Sequence, residues 1–407
     1  MENNNFLKEW ALALHSAHKG KVGIDVKIKN INYDDFAYLY TPYVAEVCRS
    51  IEKDPKQVYE LTSKGNTIAI VSNGSRILGL GNIGPEAGHP VMEGKALLFK
   101  HLGGVDAYPL SVNAKDHREI EAFVKMIKPS VGGINLEDIS QPDAFLAWQN
   151  LRDIDIPVFH DDMEGTAIVL MAGLINAARV VEKSLEKMKV VFVGAGSAAL
   201  GFAILWKNMV LSPSNITFVD RKGVIKGERD DISTNPVKNY IATLSSGIGD
   251  SLDEIVDGSD AIIGASSPGA IKPTHIKKMA DRPIVFAVSN PTPEIFPEEA
   301  KKAGAYITAT GRSDFANQLN NSLVFPGLFR GILSSRAREI TESIRKEAVY
   351  ALADSVKKPT PSKIIPRMDE KEVYYQMALR VAKKAHDEGI SGVEYRWARN
   401  DIASKLR

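Results

Sequence analysis

The sequence predicts an α/β protein: an N-terminal βα domain, then a C-terminal doubly wound domain of Rossmann type. Three observations carry this reading. From residue 67 onward, short apolar runs alternate with helix-period segments, the pattern of parallel βα units. The segment KVVFVGAGSAALGFAIL (189–205) joins a strand to a helix through a glycine-rich turn. Two acid-bearing segments, GGINLEDIS (132–140) and PVFHDDMEGTA (157–167), put carboxylates at the polar ends of apolar runs. Strand carboxyl ends are where open α/β sheets present their chemistry.

The elements follow in order. Residues 6–18 carry a helical pattern, and an irregular stretch leads to Tyr40. Thr41-Pro42 reads as a helix start, with Thr41 as N-cap and Pro42 in the first turn. Strands are expected at 67–73, 76–82, 107–112, 132–136 and 156–160, with helices at 90–102, 116–127 and 141–152. A long apolar helix, 166–183, forms the joint to the second domain. Further strands are expected at 215–220, 261–267, 284–290 and 305–311, with helices between. KKPTPSKIIPR (357–367) is a Pro-rich connection, and a last helix at about 370–388 packs back on the body. The expected domains are 1–162, 163–365 and a C-terminal helical segment, 366–407.

Composition bounds the function. The chain has 407 residues, 44% hydrophobic and 25% charged, which suits two or three ordinary domains. A formal net charge of +1, with no long basic tract, argues against a nucleic-acid partner. Cys48 is the only cysteine, so no disulfide forms within the chain and a Cys-based zinc site is disfavoured. The start, MENNNFLKEW, lacks the apolar core of a signal peptide, and no membrane span is expected. A cytoplasmic enzyme is the default reading.

The glycine-rich turn is Gly194-Ala195-Gly196-Ser197-Ala198-Ala199, the G-x-G-x-x-G/A form. Gly194 permits the tight turn, Gly196 lets backbone approach a pyrophosphate, and Ala199 allows close helix–strand packing. Free N–H groups at the next helix start would meet the phosphates. Asp220 ends the following strand, roughly 20 residues beyond Gly196, where an acid binds the adenosine ribose. Its charge favours NAD over NADP, while Arg221 and Lys222 pull the other way, so NADP stays possible.

Glu137, Asp138 and Asp162 would repel one another if brought together. A hard divalent cation, Mg2+ or Mn2+, resolves that repulsion. Any one of these acids alone would serve as well as a solvated loop acid or a helix cap. Lys95 opens an apolar helix in GHPVMEGKALLF. In a cleft, desolvation or nearby positive charge would lower its pKa enough for it to act as a base. By spacing alone it reads equally as a surface lysine, and Tyr40 as a buried, hydrogen-bonded tyrosine.

Longer pieces resemble the malic enzymes of the short prokaryotic type. They include GKVGIDVK, LYTPYVAEVC, LGLGNIGPEAGHPVMEGKALLFKHLGGVDAYPL, GGINLEDI, IPVFHDDMEGTA, VGAGSAA, FAVSNPTPEI, TGRSDFANQLNNSLVFPGLFRG and IIPR. They run in the family's order from about residue 20 to 367. The resemblance implies a catalytic tyrosine at Tyr40, a catalytic lysine at Lys95 supported by Asp161, and metal ligands at Glu137, Asp138 and Asp162. It places Asn290 and Asn320 along nicotinamide and substrate, and Arg76 resembles an arginine that helps hold a malate carboxylate in the longer, eukaryotic-type enzymes. It implies oxidative decarboxylation of L-malate to pyruvate and CO2, in a homodimer or larger homo-oligomer. An oxaloacetate decarboxylase of the same family is the alternative. The sequence departs from the family's pattern at Met163 and Glu164, where Gln and His are usual, at Tyr43, where Gly is usual, and at Ser197 and Leu200.

Overall fold

The computed structural model describes residues 2–77 and 79–407. The first sheet holds β1 (Thr67–Ser72), β2 (Asp106–Ser111), β3 (Ile134–Leu136) and β4 (Val158–His160), all parallel, in the order β2-β1-β3-β4. β1 is buried along its whole length, as its unbroken apolar run requires of a strand covered on both faces. The chain passes from β1 to β2 on one side, then crosses to β3 on the other. The connections leaving β1 and β3 therefore diverge, which opens a crevice at their carboxyl ends. Leu136 pairs with His160, so the residues that follow both strands start level with each other.

The second sheet adds β5 (Val190–Val193), β6 (Ile216–Asp220), β7 (Gly223–Val224), β8 (Ala261–Gly264), β9 (Ile284–Ala287) and β10 (Ile307–Thr310). Their order is β10-β9-β8-β5-β6-β7, parallel except for the β6–β7 hairpin. Its crevice lies between β5 and β8, and the glycine-rich turn opens into it. Between the sheets runs the joint helix Thr166–Val181, buried on nearly every side. Asn176 on that helix donates to the Ala353 and Ile364 carbonyls at 2.8 and 2.9 Å. Among the described residues, segment Asp161–Val181 alone is long and apolar enough to cross a membrane. Its burial within the fold marks it as a core helix, which is hydrophobic all round for that reason.

The C-terminal helices Glu372–Asp387 and Tyr395–Leu406 lie against the helix Phe325–Ser335. Gly331 makes this seam close: a Cβ there would fall 2.6 Å from the Ala378 carbonyl. The helix Phe325–Ser335 also touches Pro85–Gly103, the helix that carries Lys95, since a Cβ on Gly103 would fall 2.6 Å from the Pro326 carbonyl.

Four local expectations fail. Segment 76–82 is a turn, not a strand, because Ile77 N–H bonds the Gly81 carbonyl at 2.9 Å across Gly79 and a positive-φ Gly81; Leu78 lies outside the described residues. The Lys95 helix begins at Pro85 rather than at residue 90, with Pro90 held inside it. Thr41 is not an N-cap; the helix Val44–Lys53 starts after Tyr43. The helix Tyr395–Leu406 goes beyond the expected last helix, its apolar face narrow and its sequence mostly polar.

Arg330 ties these parts together. Its buried guanidinium bonds Asn66 at 2.6 Å, Ser334 at 2.9 Å and Asp401 at 3.3 Å. Removing Asp401 leaves a buried cation without its counter-charge, a loss that costs about 3 kcal/mol. Asp401→Ala is therefore expected to lower unfolding stability by about 3 kcal/mol, read from urea denaturation with an unchanged slope.

Candidate active site

The site is built where strands end. Glu137 follows β3 directly, and Asn135, two residues earlier on the same strand face, donates to its Oε2 at 2.8 Å. Asp138 adopts φ 51°, a left-handed conformation that Asp tolerates better than most residues. Its N–H donates to Asp162 Oδ2 at 3.0 Å, and its carbonyl accepts from Arg76 N–H at 3.1 Å. Asp161 and Asp162 open a π-helical turn, Asp161–Gly165, between β4 and the joint helix. Such turns gather at functional sites. Only glycine fits at 165, because a Cβ would fall 2.0 Å from Asp161 Oδ1.

Lys95 reaches this cluster from its helix and is 8% exposed, so it is no surface lysine. Its ammonium pairs with Glu137 Oε1 at 2.8 Å and with Asp161, and lies 4.2 Å from the Phe325 ring centre. Burial pulls its pKa down, but the charges of Asp161 and then Glu137 outweigh burial and raise it. The expectation of a lowered lysine pKa is thus reversed, because the nearest charges are negative. Burial is also the main force lifting the carboxyls. Glu137 stands well above its usual range, despite Lys95, with Asp161, Asp162 and Asp138 adding repulsion. Asp138 is pushed up to about 7 by burial and by Asp162. Asp161 rises to about 6, burial again exceeding the pull of Lys95.

Four carboxylates therefore face one ammonium. Hard oxygen donors with unmet negative charge suit Mg2+ or Mn2+. Among the described residues, no three His, Cys, Asp or Glu side chains close into an ion-holding set as they stand. The chemistry of Glu137, Asp138 and Asp162 fits the ion; Lys95 now occupies one Glu137 oxygen. His160 is fully buried with neither ring nitrogen bonded, and burial lowers its pKa.

The glycine-rich turn faces the cluster. Gly194 has φ 139°, and a Cβ there would fall 2.5 Å from the Ala265 carbonyl, so the turn needs glycine. Ser197 opens the next helix, Ser197–Asn208, and Ala199 is fully buried under it. Loops of the first domain reach this turn. Gln141 donates to Ser197 Oγ at 2.8 Å, and Arg76 Nη1 sits 3.3 Å from where a Gly196 Cβ would stand. Asn290 follows β9 by three residues, and its carbonyl lies 3.2 Å from where a Gly79 Cβ would be. Asn320 caps a short turn by accepting from Ser322 N–H at 2.9 Å; Asn321 next to it touches Gly165.

Two expected residues stand differently. Asp220 ends β6, but Arg229, Lys238 and the Lys222 N–H already donate to its carboxylate at 2.7–3.0 Å. Burial alone would raise its pKa, yet these donors lower it. Tyr40 is 72% exposed, on an arm whose apolar side chains face outward; it is not a buried tyrosine, and this single chain does not gather it with Lys95. Sequence reasoning missed Asn135, Gln141, Phe325, Arg229 and Lys238. Asn135 carried a signal, as a polar residue inside an apolar strand in step with Glu137.

Fold and site together define a dinucleotide-binding oxidoreductase with a carboxylate-lined cleft between two α/β domains. Comparison with known proteins makes this specific. The family model of the malic enzyme N-terminal domain matches residues 19–152, and that of the malic enzyme NAD binding domain matches 163–386. The chain belongs to the malic enzyme family. It is 44% identical to a bifunctional malic/malolactic enzyme of Bacillus subtilis, with 95% of each chain covered. It is 46% identical to an NAD-dependent malic enzyme of Geobacillus stearothermophilus, covering 91% of this chain and 78% of that one. An NADP-dependent malic enzyme of Halomonas elongata is 42% identical over 86% and 83%. The crystal structure of the malic enzyme from Pyrococcus horikoshii superposes with TM-score 0.93 at 42% identity, over 98% and 96% of the two chains.

The raised carboxyls make a pH prediction. Unfolded carboxyls titrate near ~4, whereas Asp138 and Asp161 hold protons to about 7 and about 6 when folded. Between those values the folded, metal-free chain binds more protons than the unfolded one, so their contribution to stability falls as pH rises. Asp138→Asn keeps the neutral form at every pH. In chelator, its gain in Tm over wild type is expected to grow from pH 5 to pH 8. A gain that is flat with pH contradicts the raised Asp138 pKa.

Proposed function

We propose that this malic enzyme oxidises L-malate and releases CO2, giving pyruvate as NAD(P) is reduced. The observation that supports this most is the buried Lys95–Glu137–Asp161 cluster, joined to the glycine-rich turn through Arg76. A Mg2+ or Mn2+ ion held by Glu137, Asp138 and Asp162 would supply Lewis-acid charge and remove the charges that keep Lys95 protonated. Bound dinucleotide would supply the hydride acceptor. Lys95 takes the proton of the C2 hydroxyl, and Asp161 holds the lysine in place. Arg76 holds a malate carboxylate; Asn290 and Asn320 line the substrate and nicotinamide. Tyr40 protonates C3 of enolpyruvate after CO2 has left.

Tyr40 does this once its arm is packed. Ile24, Tyr33, Phe36 and Tyr38 on that arm are all exposed, a run of apolar surface that a second copy of the chain would cover. The assembly we propose is a homodimer, working in the cytoplasm on a small-molecule substrate. The dinucleotide turn, built with two first-domain residues against it, disfavours oxaloacetate decarboxylation as the main activity. The deciding assay follows NADH and pyruvate with Mn2+ and either malate plus NAD or oxaloacetate alone. Pyruvate from oxaloacetate without any malate-dependent NADH would overturn the reading.

Lys95→Ala is expected to lower malate oxidation by about 10²–10⁴-fold, with partial recovery on adding small amines. Turnover at the wild-type rate without amine removes Lys95 from the mechanism. Cofactor choice rests on Asp220. Its carboxylate favours the ribose hydroxyls of NAD, but Arg229 and Lys238 blunt its repulsion of a 2′-phosphate. We infer a preference for NAD of no more than roughly tenfold in kcat/KM. Asp220→Ser frees both cations and is expected to shift the ratio toward NADP. An unmoved ratio, or an NADP-preferring wild type, shows that Asp220 does not set the choice.

A further inference from the structure

A second cavity lies behind the catalytic turn. It has a volume of about 120 Å³ and is bounded by both domains, with Phe145, Trp148, Met163, Tyr240 and Arg345 in its walls and Arg152 at its mouth. An apolar cavity on the order of 150 Å³ takes one benzene ring, so the occupant is no larger than a single ring. Aromatic and aliphatic side chains share the walls with charged and amide ones, which favours a flat ring that carries a polar end.

The polar end of the occupant is read from Arg345. This residue is 7% exposed, and its Nε donates to the buried carboxylate of Glu164. Its two terminal nitrogens make no hydrogen bond among the described residues, although a buried guanidinium carries five donors in a planar fork. Such a fork matches a carboxylate in two parallel bonds. At the mouth, Arg152 lies 5.0 Å over the Trp148 ring, and neither it nor Lys207 has an acidic partner among the described residues. Glu342 is the acid that stands with them. Met163 and Glu164, two positions where the sequence leaves the family's pattern, both line this cavity.

We propose that this cavity binds a single-ring aromatic carboxylate, its ring against Trp148 and Tyr240 and its carboxylate on Arg345, apart from the catalytic cleft. The occupant shares Arg345 with Glu164, whose other oxygen accepts the His160 N–H at 2.8 Å.

The test is calorimetric titration of the full-length protein with benzoate, with and without saturating malate and Mn2+. Saturable binding of one benzoate per chain is expected, with the same affinity in both conditions. Arg152→Glu, at an exposed position, is expected to weaken it about tenfold. Arg345→Met combined with Glu164→Gln removes the fork without stranding a charge and is expected to abolish it, with folding checked by thermal melting. Three results overturn the proposal: no saturable binding to wild type, binding displaced by malate, or wild-type affinity in the double variant. Should the double variant not fold, wild-type affinity in Arg152→Glu overturns it.

Discussion

The structure depends on holding Lys95 among acids out of water. A buried ammonium alone would be strongly disfavoured, and so would Glu137, Asp138 and Asp161 without it. Each element around the cluster serves that mutual need. Strand ends deliver the acids at one level, the Lys95 helix delivers the cation, and Phe325 covers it with an aromatic face. Burial lifts the carboxyl pKa values first, and because the balance remains negative their mutual repulsion lifts them further. A site left in that condition would be relieved by added positive charge.

The two crevices of the two sheets face each other because of what joins them. The joint helix begins in the same turn that holds Asp161 and Asp162, so the sheet-to-sheet arrangement and the acid positions are set together. Arg76 and Gln141 then cross from the first domain to the glycine-rich turn of the second. Substrate oxygens and hydride acceptor would thereby meet at a place neither domain forms alone.

Much of this was legible in the sequence, for physical reasons. Parallel strands buried on both faces must be apolar runs, so β1, β5 and β9 announced themselves. The glycine turn was legible because close backbone approach leaves no room for a side chain at Gly194. Segment 76–82 misled because Ile and Leu suggest a strand, while its two glycines closed a turn instead. The sign of the Lys95 shift was illegible, since it depends on which charges lie within a few ångströms. Tyr40 shows the limit from the other side. Its neighbours in sequence carry the family resemblance, yet the chain leaves its side chain exposed and away from Lys95. The donors around Asp220 come from residues 229 and 238, too far along the chain for spacing to reveal.

One contact has a mechanical meaning. Gly201, on the helix that opens the dinucleotide turn, lies so close to Met163 that a Cβ would fall 2.1 Å from its carbonyl. Backbone touches backbone there, with no side chain to compress or rotate. The contact fixes a spacing. Any side chain at position 201 would push the dinucleotide helix away from the turn that holds Asp161 and Asp162, and the distance between the dinucleotide turn and the acids would change with it.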